Sequence, residues 1–174
     1  MLKKIGIVVF FVFFMLGCSS LNVKNELSNE PSIDKVRAAY EKWEVDIAES
    51  ELIQYENKYG ISEESEKLYL QILERSTKKE ELFHLVEVIK GTIIENKTSD
   101  LKKYANGFFI KKKIKELSKY DFSGFEIYSG NFKFKKENAE CVFVANYLEE
   151  SIYITVKFRL KNNRWELVDF KERR

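Results

Sequence analysis

Few residues of the 174-residue chain are of types that could carry out chemistry. It has one histidine, His84, and two cysteines, Cys18 and Cys141, which are too few for a zinc site of the usual Cys/His kind. We therefore predict no metal and no cofactor. His84 could act as a general acid or base, and Tyr104 and Tyr128 could supply a hydroxyl. A lone histidine without a placed carboxylate is more often a surface or core residue, and both tyrosines are equally natural core aromatics. The sequence thus predicts no catalytic group, with His84 and Tyr104 as the candidates if the protein is an enzyme.

Cys18 ends a segment that has the pattern of a secretory signal. A basic head, an apolar run over residues 5–16 and a glycine precede it. Twelve apolar residues are too short for a membrane span, which needs about 20, and this order of features is typical of a signal peptide. Segment 15–18, Met-Leu-Gly-Cys, resembles the lipobox of bacterial lipoproteins, although Met15 replaces the usual leucine. An ordinary signal peptide with an incidental cysteine and an uncleaved anchor remain the alternatives.

The lipobox resemblance implies where the mature chain sits. The Cys18 thiol would receive a diacylglyceryl group, and Cys18 would become the first residue, held in the membrane by acyl chains such as palmitate. The expected location is the cell envelope. In the resembled family an aspartate after the cysteine retains the protein in the inner membrane; because Ser19 is present instead, we expect the outer membrane in a diderm organism.

Charge is unevenly spread along the chain. Without residues 1–17 the chain keeps 28 basic and 28 acidic side chains, so no global field favours nucleic acid, and none is predicted as a partner. Residues 34–87 hold fourteen acidic and eight basic side chains. A local basic cluster could meet anionic lipid, a wall polymer or an acidic partner, or could simply be a solvated helix face. Its members are Lys111, Lys112, Lys113 and Lys115.

Helical periodicity dominates the first two thirds of the chain, and strand-like alternation the last third. Segment 108–120 is amphipathic, with Ile110, Ile114 and Leu117 predicted to point inside. The predicted helices are 34–58 (stopped by Gly60), one opened by residues 62–65, one from 79 to 93, a short one after residue 98, and 108–120. The predicted strands are 125–128, 132–135, 141–147, 152–160 and 165–170, joined by hairpins at 129–130, 136–138, 149–150 and 162–163.

Two side chains of these strands have predicted positions. Cys141 shares a face with Phe143, Ala145 and Tyr147, and we expect it to be a buried structural thiol without a disulfide partner. Trp165 is expected to cover the core between sheet and helices. Helices followed by an antiparallel meander predict an α+β fold, with a curved sheet packed on the helices and a helical arm before them.

The stretch 80–170 resembles the nuclear transport factor two-like (cystatin-like cone) superfamily. The resemblance is carried by Ile-Ile-Glu-Asn-Lys at 93–97, Asp-Leu-Lys-Lys-Tyr at 100–104, Ala-Glu-Cys-Val at 139–142 and Asn-Asn-Arg-Trp-Glu-Leu at 162–167. It implies a conical half-barrel with a pocket between sheet and helices. Some members are isomerases or dehydratases with catalytic groups in that pocket, and others bind ligands or proteins without catalysis. The fold alone does not choose between them.

Four segments and two functions follow. The segments are a signal peptide (1–17), a lipid-anchored tether (18–33), an acidic helical arm (34–78) and a cone-like α+β domain (79–174). The favoured function is a lipid-anchored envelope protein that is not an enzyme and whose domain binds an envelope protein or a small apolar ligand. The alternative is an isomerase- or dehydratase-type enzyme that uses His84 or Tyr104. An open pocket with convergent polar groups would favour the enzyme.

Overall fold

Ser32 caps the first helix. The computed structural model describes residues 30–173, so the predicted signal peptide, Cys18 and most of the tether lie outside the described residues. Helix α1 (Ile33–Glu41) is capped by Ser32, whose Oγ accepts a hydrogen bond from the Lys35 amide at 3.3 Å. This satisfies one of the amide groups that a helix leaves open at its start.

The predicted helix 34–58 is wrong as a single element, because the chain breaks it after residue 41. Helix α2 (Val45–Tyr59) starts a new axis, and Trp43 between the two helices has a φ of 65°. Its indole is buried, and its Nε1 donates to the Lys136 carbonyl at 2.7 Å. The tertiary contacts of Trp43 thus stabilise a left-handed backbone conformation that interrupts the helix, although the helical periodicity of the sequence continues through this position. As predicted, α2 ends at Gly60, where a φ of 83° suits glycine.

The predicted second and third helices form one long helix, α3 (Glu63–Ile94). It begins with a capping box between Ser62 and Ser65. Segment 76–77, Ser-Thr, lies between the two predicted helices but does not interrupt α3, and Thr77 Oγ1 donates to the Leu73 carbonyl one turn back at 3.0 Å. The predicted boundary between arm and cone, after residue 78, therefore falls inside a continuous helix.

A 3₁₀ helix, η1 (Thr98–Lys103), and helix α4 (Phe108–Leu117) lead from α3 to the sheet. The inside face predicted for α4 is confirmed: Ile110 and Ile114 are buried and Leu117 packs against the core. The strands are β1 (Glu126–Ser129), β2 (Lys133–Lys135), β3 (Asn138–Tyr147), β4 (Glu150–Lys161) and β5 (Arg164–Arg173).

The sheet is antiparallel, with strand order β1-β3-β4-β5, and β2 also pairs with β3. The predicted hairpin at 129–130 is wrong: β1 and β2 follow one another along the same edge of β3, and the Gly130 amide donates to the Val142 carbonyl at 2.8 Å. The other predicted hairpins are present. At the β4–β5 turn Asn162 and Asn163 both have positive φ, which is the type I′ geometry that twisted hairpins favour.

Buried side chains form two clusters, and both include residues of α3. The smaller cluster lies among α1, α2 and the first half of α3, and includes Leu52 and Ile72. The larger one lies between the sheet, α4 and the second half of α3, and includes Trp165, which is buried as predicted. The predicted α+β class, with helices preceding an antiparallel sheet, is confirmed.

The chain from Ser32 onward forms one compact unit. None of the helices within residues 30–173 combines the length and the apolar composition that crossing a membrane requires.

Candidate functional site

The space between the helices and the inner sheet face contains a small apolar cavity. Its volume is about 40 Å³, whereas pockets for small organic ligands usually span about 300–1,000 Å³. The cavity has no titratable side chain in its lining. The lining residues come from α3, α4, the segment after α4 and all strands except β2: Ile89, Ile93, Leu117, Phe122, Ile127, Phe143, Ala145, Ile154, Val156 and Phe170.

The two candidate catalytic side chains do not line this cavity. His84 is exposed on α3. Tyr104 is half-buried after η1; its carbonyl accepts from the Leu167 amide at 2.8 Å, and the Lys103 ammonium lies 4.9 Å from its ring centroid. The Tyr104 backbone thus joins η1 to the edge of β5, which is a structural task. The structure does not bring His84 and Tyr104 together around a space that could hold a substrate.

Tyr128, the other tyrosine considered, lies on the outer sheet face. Its hydroxyl donates to Glu126 Oε2 at 2.8 Å, and this hydrogen bond with the neighbouring negative charge raises the pKa of Tyr128. A phenol with a raised pKa is a weaker acid near neutral pH, so this contact does not prepare Tyr128 for proton transfer.

Cys141 is buried on the inner face of β3, as predicted. Phe143 and Ala145 follow it on the same face, whereas Tyr147, at the strand end, is exposed. Burial raises the pKa of the Cys141 thiol to about 12, despite the opposing effect of the positive charge on Lys90. The thiol is therefore neutral at physiological pH and lacks the thiolate character of a nucleophile.

We expect the free energy of unfolding to fall as the pH rises from about 9 towards 12. The reason is that the unfolded chain releases the Cys141 proton near a pKa of 9.0, whereas the folded chain holds it until about 12. Denaturant unfolding at several pH values measures the slope. Cys141→Ala, which cannot titrate, should show a shallower fall over this range, and equal slopes would contradict the assignment.

A cluster of aromatic and cationic side chains ties the first two helices to the sheet. Trp43 stacks on Phe134 with ring centroids 4.8 Å apart, and lies 5.6 Å from Trp165. The Arg75 guanidinium lies 3.6 Å from the centroid of Tyr40 and 4.8 Å from that of Trp43. We call these five residues the aromatic joint. Sequence reasoning missed it, because its members are far apart in the chain.

Lys78 adds a polar connection beside the joint. It is buried in the middle of α3, and its ammonium donates to both carboxylate oxygens of Glu81 at 2.8 Å and to the Asn163 carbonyl at 3.0 Å. The Lys78 carbonyl accepts from Trp165 Nε1 at 2.7 Å. A buried ammonium is stable only with such partners, so these contacts fix α3 against the β4–β5 turn.

The predicted basic cluster divides into one paired lysine and three free ones. Lys113 forms an ion pair with Asp169 and donates to the Phe170 carbonyl at 3.0 Å, which joins α4 to β5. Lys111, Lys112 and Lys115 are exposed and have no acidic partner within 4 Å in the described part of the chain. Only these three are placed to meet an external partner.

The outer sheet face is a second basic surface that the linear sequence concealed. Registered pairs bring Lys133 opposite Glu140, Arg159 opposite Glu166, and Lys161 opposite Arg164. Along each strand, the charged side chains of this face are separated by apolar residues that point inward. The strand register is therefore needed to show that these charges form one surface. Its basic members are Lys133, Lys135, Lys157, Arg159, Lys161, Arg164, Lys171 and Arg173.

The first half of α3 presents an exposed apolar stripe. Tyr69, Leu70 and Leu73 lie at helical spacing and are 43%, 66% and 41% exposed. Glu66 and Glu74, both exposed, neighbour them. We call these three apolar residues the α3 stripe. Contiguous exposed apolar side chains with a polar surround are typical of protein contact sites.

Within residues 30–173 no group of three or more His, Cys, Asp or Glu side chains could hold a metal ion. No protein family, curated protein or solved structure matches the chain.

Proposed function

We propose that the protein is a lipid-anchored protein of the cell envelope, outer-membrane in a diderm organism, whose α+β domain binds a partner protein and catalyses no reaction. The observation that carries this proposal is the composition of the space between helices and sheet. A catalytic pocket brings polar or titratable groups to one enclosed point, and the cavity here is lined by apolar side chains alone. A cone-like binding module needs no such groups.

A partner protein is favoured over a small apolar ligand by the size of the cavity. A volume of about 40 Å³ holds little more than one or two water-sized groups. The α3 stripe, in contrast, offers a contact surface that nothing in the described chain covers. The exposed Glu66, Lys67 and Glu74 border the stripe, which favours a partner with apolar anchors and polar groups of both signs around them.

The enzyme alternative has less support from the geometry. An isomerase or dehydratase would need His84 or Tyr104 within hydrogen-bond reach of a bound substrate. His84 is exposed and Tyr104 serves as a backbone partner of β5, and neither contributes to the cavity.

Site-specific photo-crosslinking in intact cells tests the partner. A photoreactive residue at Leu70 should give a discrete adduct, identified by mass spectrometry, whereas one at Gln54, an exposed polar position on α2, should not. Leu73→Glu should remove the adduct, because it puts a charge into the apolar contact. Adducts that are equal at both positions, or that persist in Leu73→Glu, would argue against the α3 stripe as the contact.

Anchorage is tested separately by metabolic labelling with a fatty-acid analogue. We expect Cys18→Ala to abolish labelling, because the acyl groups are proposed to depend on this thiol alone, and to release or misprocess the protein. Cys141→Ala is the matched control and should label normally, since its thiol is buried. Label that persists on Cys18→Ala would overturn the lipoprotein proposal.

A further inference from the structure

Helix α4 presents two phenylalanines to solvent beside lysines that have no acidic partner within 4 Å among residues 30–173. Phe108 and Phe109, in its first turn, are 76% and 80% exposed. On a helix, Phe108 is next to Lys111 and Lys112, three and four positions on, and Lys115 continues that side by one turn. We call these five residues the lysine–phenylalanine face.

The two phenylalanines do not serve the folded core. Their rings contact each other edge to face with centroids 5.9 Å apart, while the buried side of α4 is supplied by Ile110 and Ile114. Two adjacent aromatic side chains at this exposure are costly in water. Their position is explained if another apolar phase covers them.

The charge around the phenylalanines is almost all of one sign. Segment 102–119 has seven lysines and a single acidic residue, Glu116. Glu116 is paired with Lys119 at 2.5 Å, and the pKa of Glu116 is lowered by that hydrogen bond and by the positive charges of Lys119, Lys112 and Lys115. Because Glu116 is paired with Lys119, Lys111, Lys112 and Lys115 have no acidic partner within 4 Å among residues 30–173, and their ammonium groups can reach an external anion.

We propose that the lysine–phenylalanine face docks on the surface of an anionic lipid bilayer. Aromatic rings are stable at the boundary between headgroups and acyl chains, and lysines beside them reach the headgroup phosphates with their flexible stems. Both components lie on one exposed side of a helix, as a flat lipid surface requires. The inference goes beyond the proposed function, because this contact does not depend on acylation of Cys18 or on a partner protein.

The outer sheet face is the rival basic surface, and its composition fits a bilayer less well. Its cations are interspersed with Glu126, Glu140 and Glu166, and its aromatic residues Tyr128 and Tyr153, 54% and 49% exposed, are less exposed than the two phenylalanines. A bilayer favours an uninterrupted positive charge with a strongly exposed apolar centre. The lysines of the sheet therefore serve as an internal comparison.

Lysine footprinting of the full chain on lipid vesicles tests the docking. An amine-reactive reagent is applied to the protein on vesicles of phosphatidylcholine alone, or of phosphatidylcholine with phosphatidylglycerol, and modification is read by mass spectrometry. With phosphatidylglycerol, we expect the reactivity of Lys111, Lys112 and Lys115 to fall about threefold or more, and high salt to reverse the fall. Lys42, just after α1, and Lys67 on α3 should not change.

Two variants test whether the lysine–phenylalanine face itself makes the contact with the bilayer. Phe108→Ser combined with Phe109→Ser should abolish the fall in reactivity without lowering the Tm, since both side chains are exposed. Leu148→Ser, at another strongly exposed apolar position, should leave the fall intact. The proposal is overturned by equal reactivity on both vesicles, by equal protection of Lys157 and Lys171, or by protection that rises with protein concentration without vesicles, which would indicate self-association. None of these readouts depends on whether Cys18 is acylated.

Discussion

Replacing Trp165 by alanine should lower the free energy of unfolding by about 3–5 kcal/mol, through lost burial and the cavity left behind. The side chain is only 3% exposed and belongs to the core between sheet and helices. Its ring centroid lies 6.4 Å from that of Phe134 and 5.6 Å from that of Trp43, and its Nε1 donates a hydrogen bond to the Lys78 carbonyl. For a chain of this size we expect a fall in Tm of roughly 6–20 °C.

Trp165→Phe separates the apolar contribution from the hydrogen bond. It keeps a large ring but loses the Nε1 donor, so we expect a loss of about 1–2 kcal/mol. The Lys78 carbonyl remains within α3 and can still accept a helical hydrogen bond, so no acceptor is stranded. Thermal and denaturant unfolding measure both variants. An unchanged melt for Trp165→Ala would contradict the packing of β5 on α3.

The strands were predictable because the alternation of buried and exposed side chains is present within each strand segment. On β3 the buried residues Cys141, Phe143 and Ala145 alternate with less buried ones, and this period of two is visible in any single segment. The class and the order of elements follow from such local patterns. The same pattern does not show whether two successive strands form a hairpin or pair one after the other with the same edge of a third strand. Segment 129–130 has turn-like residues, yet the pairing of Gly130 with Val142 keeps the chain along β3.

The helix boundaries failed where distant contacts override local preference. The residues around Trp43 do not indicate a helix break. The Trp43 conformation is stabilised by contacts with Phe134 and Lys136, which lie more than 90 positions away in the chain. The reverse occurs at Thr77, where a residue typical of helix ends is accommodated by a bond to Leu73 within the helix. Propensity is a weak guide at both places because tertiary packing decides.

The candidate surfaces were predicted only in part. The lysines of α4 are adjacent in sequence, and their cluster was recognised. The exposure of Phe108 and Phe109 was not, because an apolar pair at the start of an amphipathic helix is compatible with a buried first turn. Only the structure shows that Gly107, with a φ of 115°, starts the helix so that both rings point to solvent.

Replacing Trp43 by alanine should destabilise the whole unit by about 3–5 kcal/mol, although the residue lies between the first two helices. Trp43 belongs to the same buried cluster as Trp165 and Phe158, and its loss would expose Phe134 and leave Arg75 without one of its two aromatic contacts. We expect one cooperative transition that shifts to lower denaturant, with helix content by circular dichroism and Trp165 fluorescence changing together.

Leu52→Ala tests the same cooperativity from the other cluster. Leu52 is buried among α1, α2 and α3, away from the sheet, and its truncation should cost about 2–5 kcal/mol. Because α3 contributes to both clusters without interruption, we expect tryptophan fluorescence, which comes from Trp43 and Trp165 in the larger cluster, to report the full destabilisation, although Leu52 is not in that cluster. If the arm were an independent domain, Leu52→Ala would instead produce an early loss of helical signal while the main tryptophan fluorescence transition, which reports the larger cluster, stayed in place. Coincident midpoints for both probes would then show that the helices before residue 79 fold with the sheet as one cooperative structure.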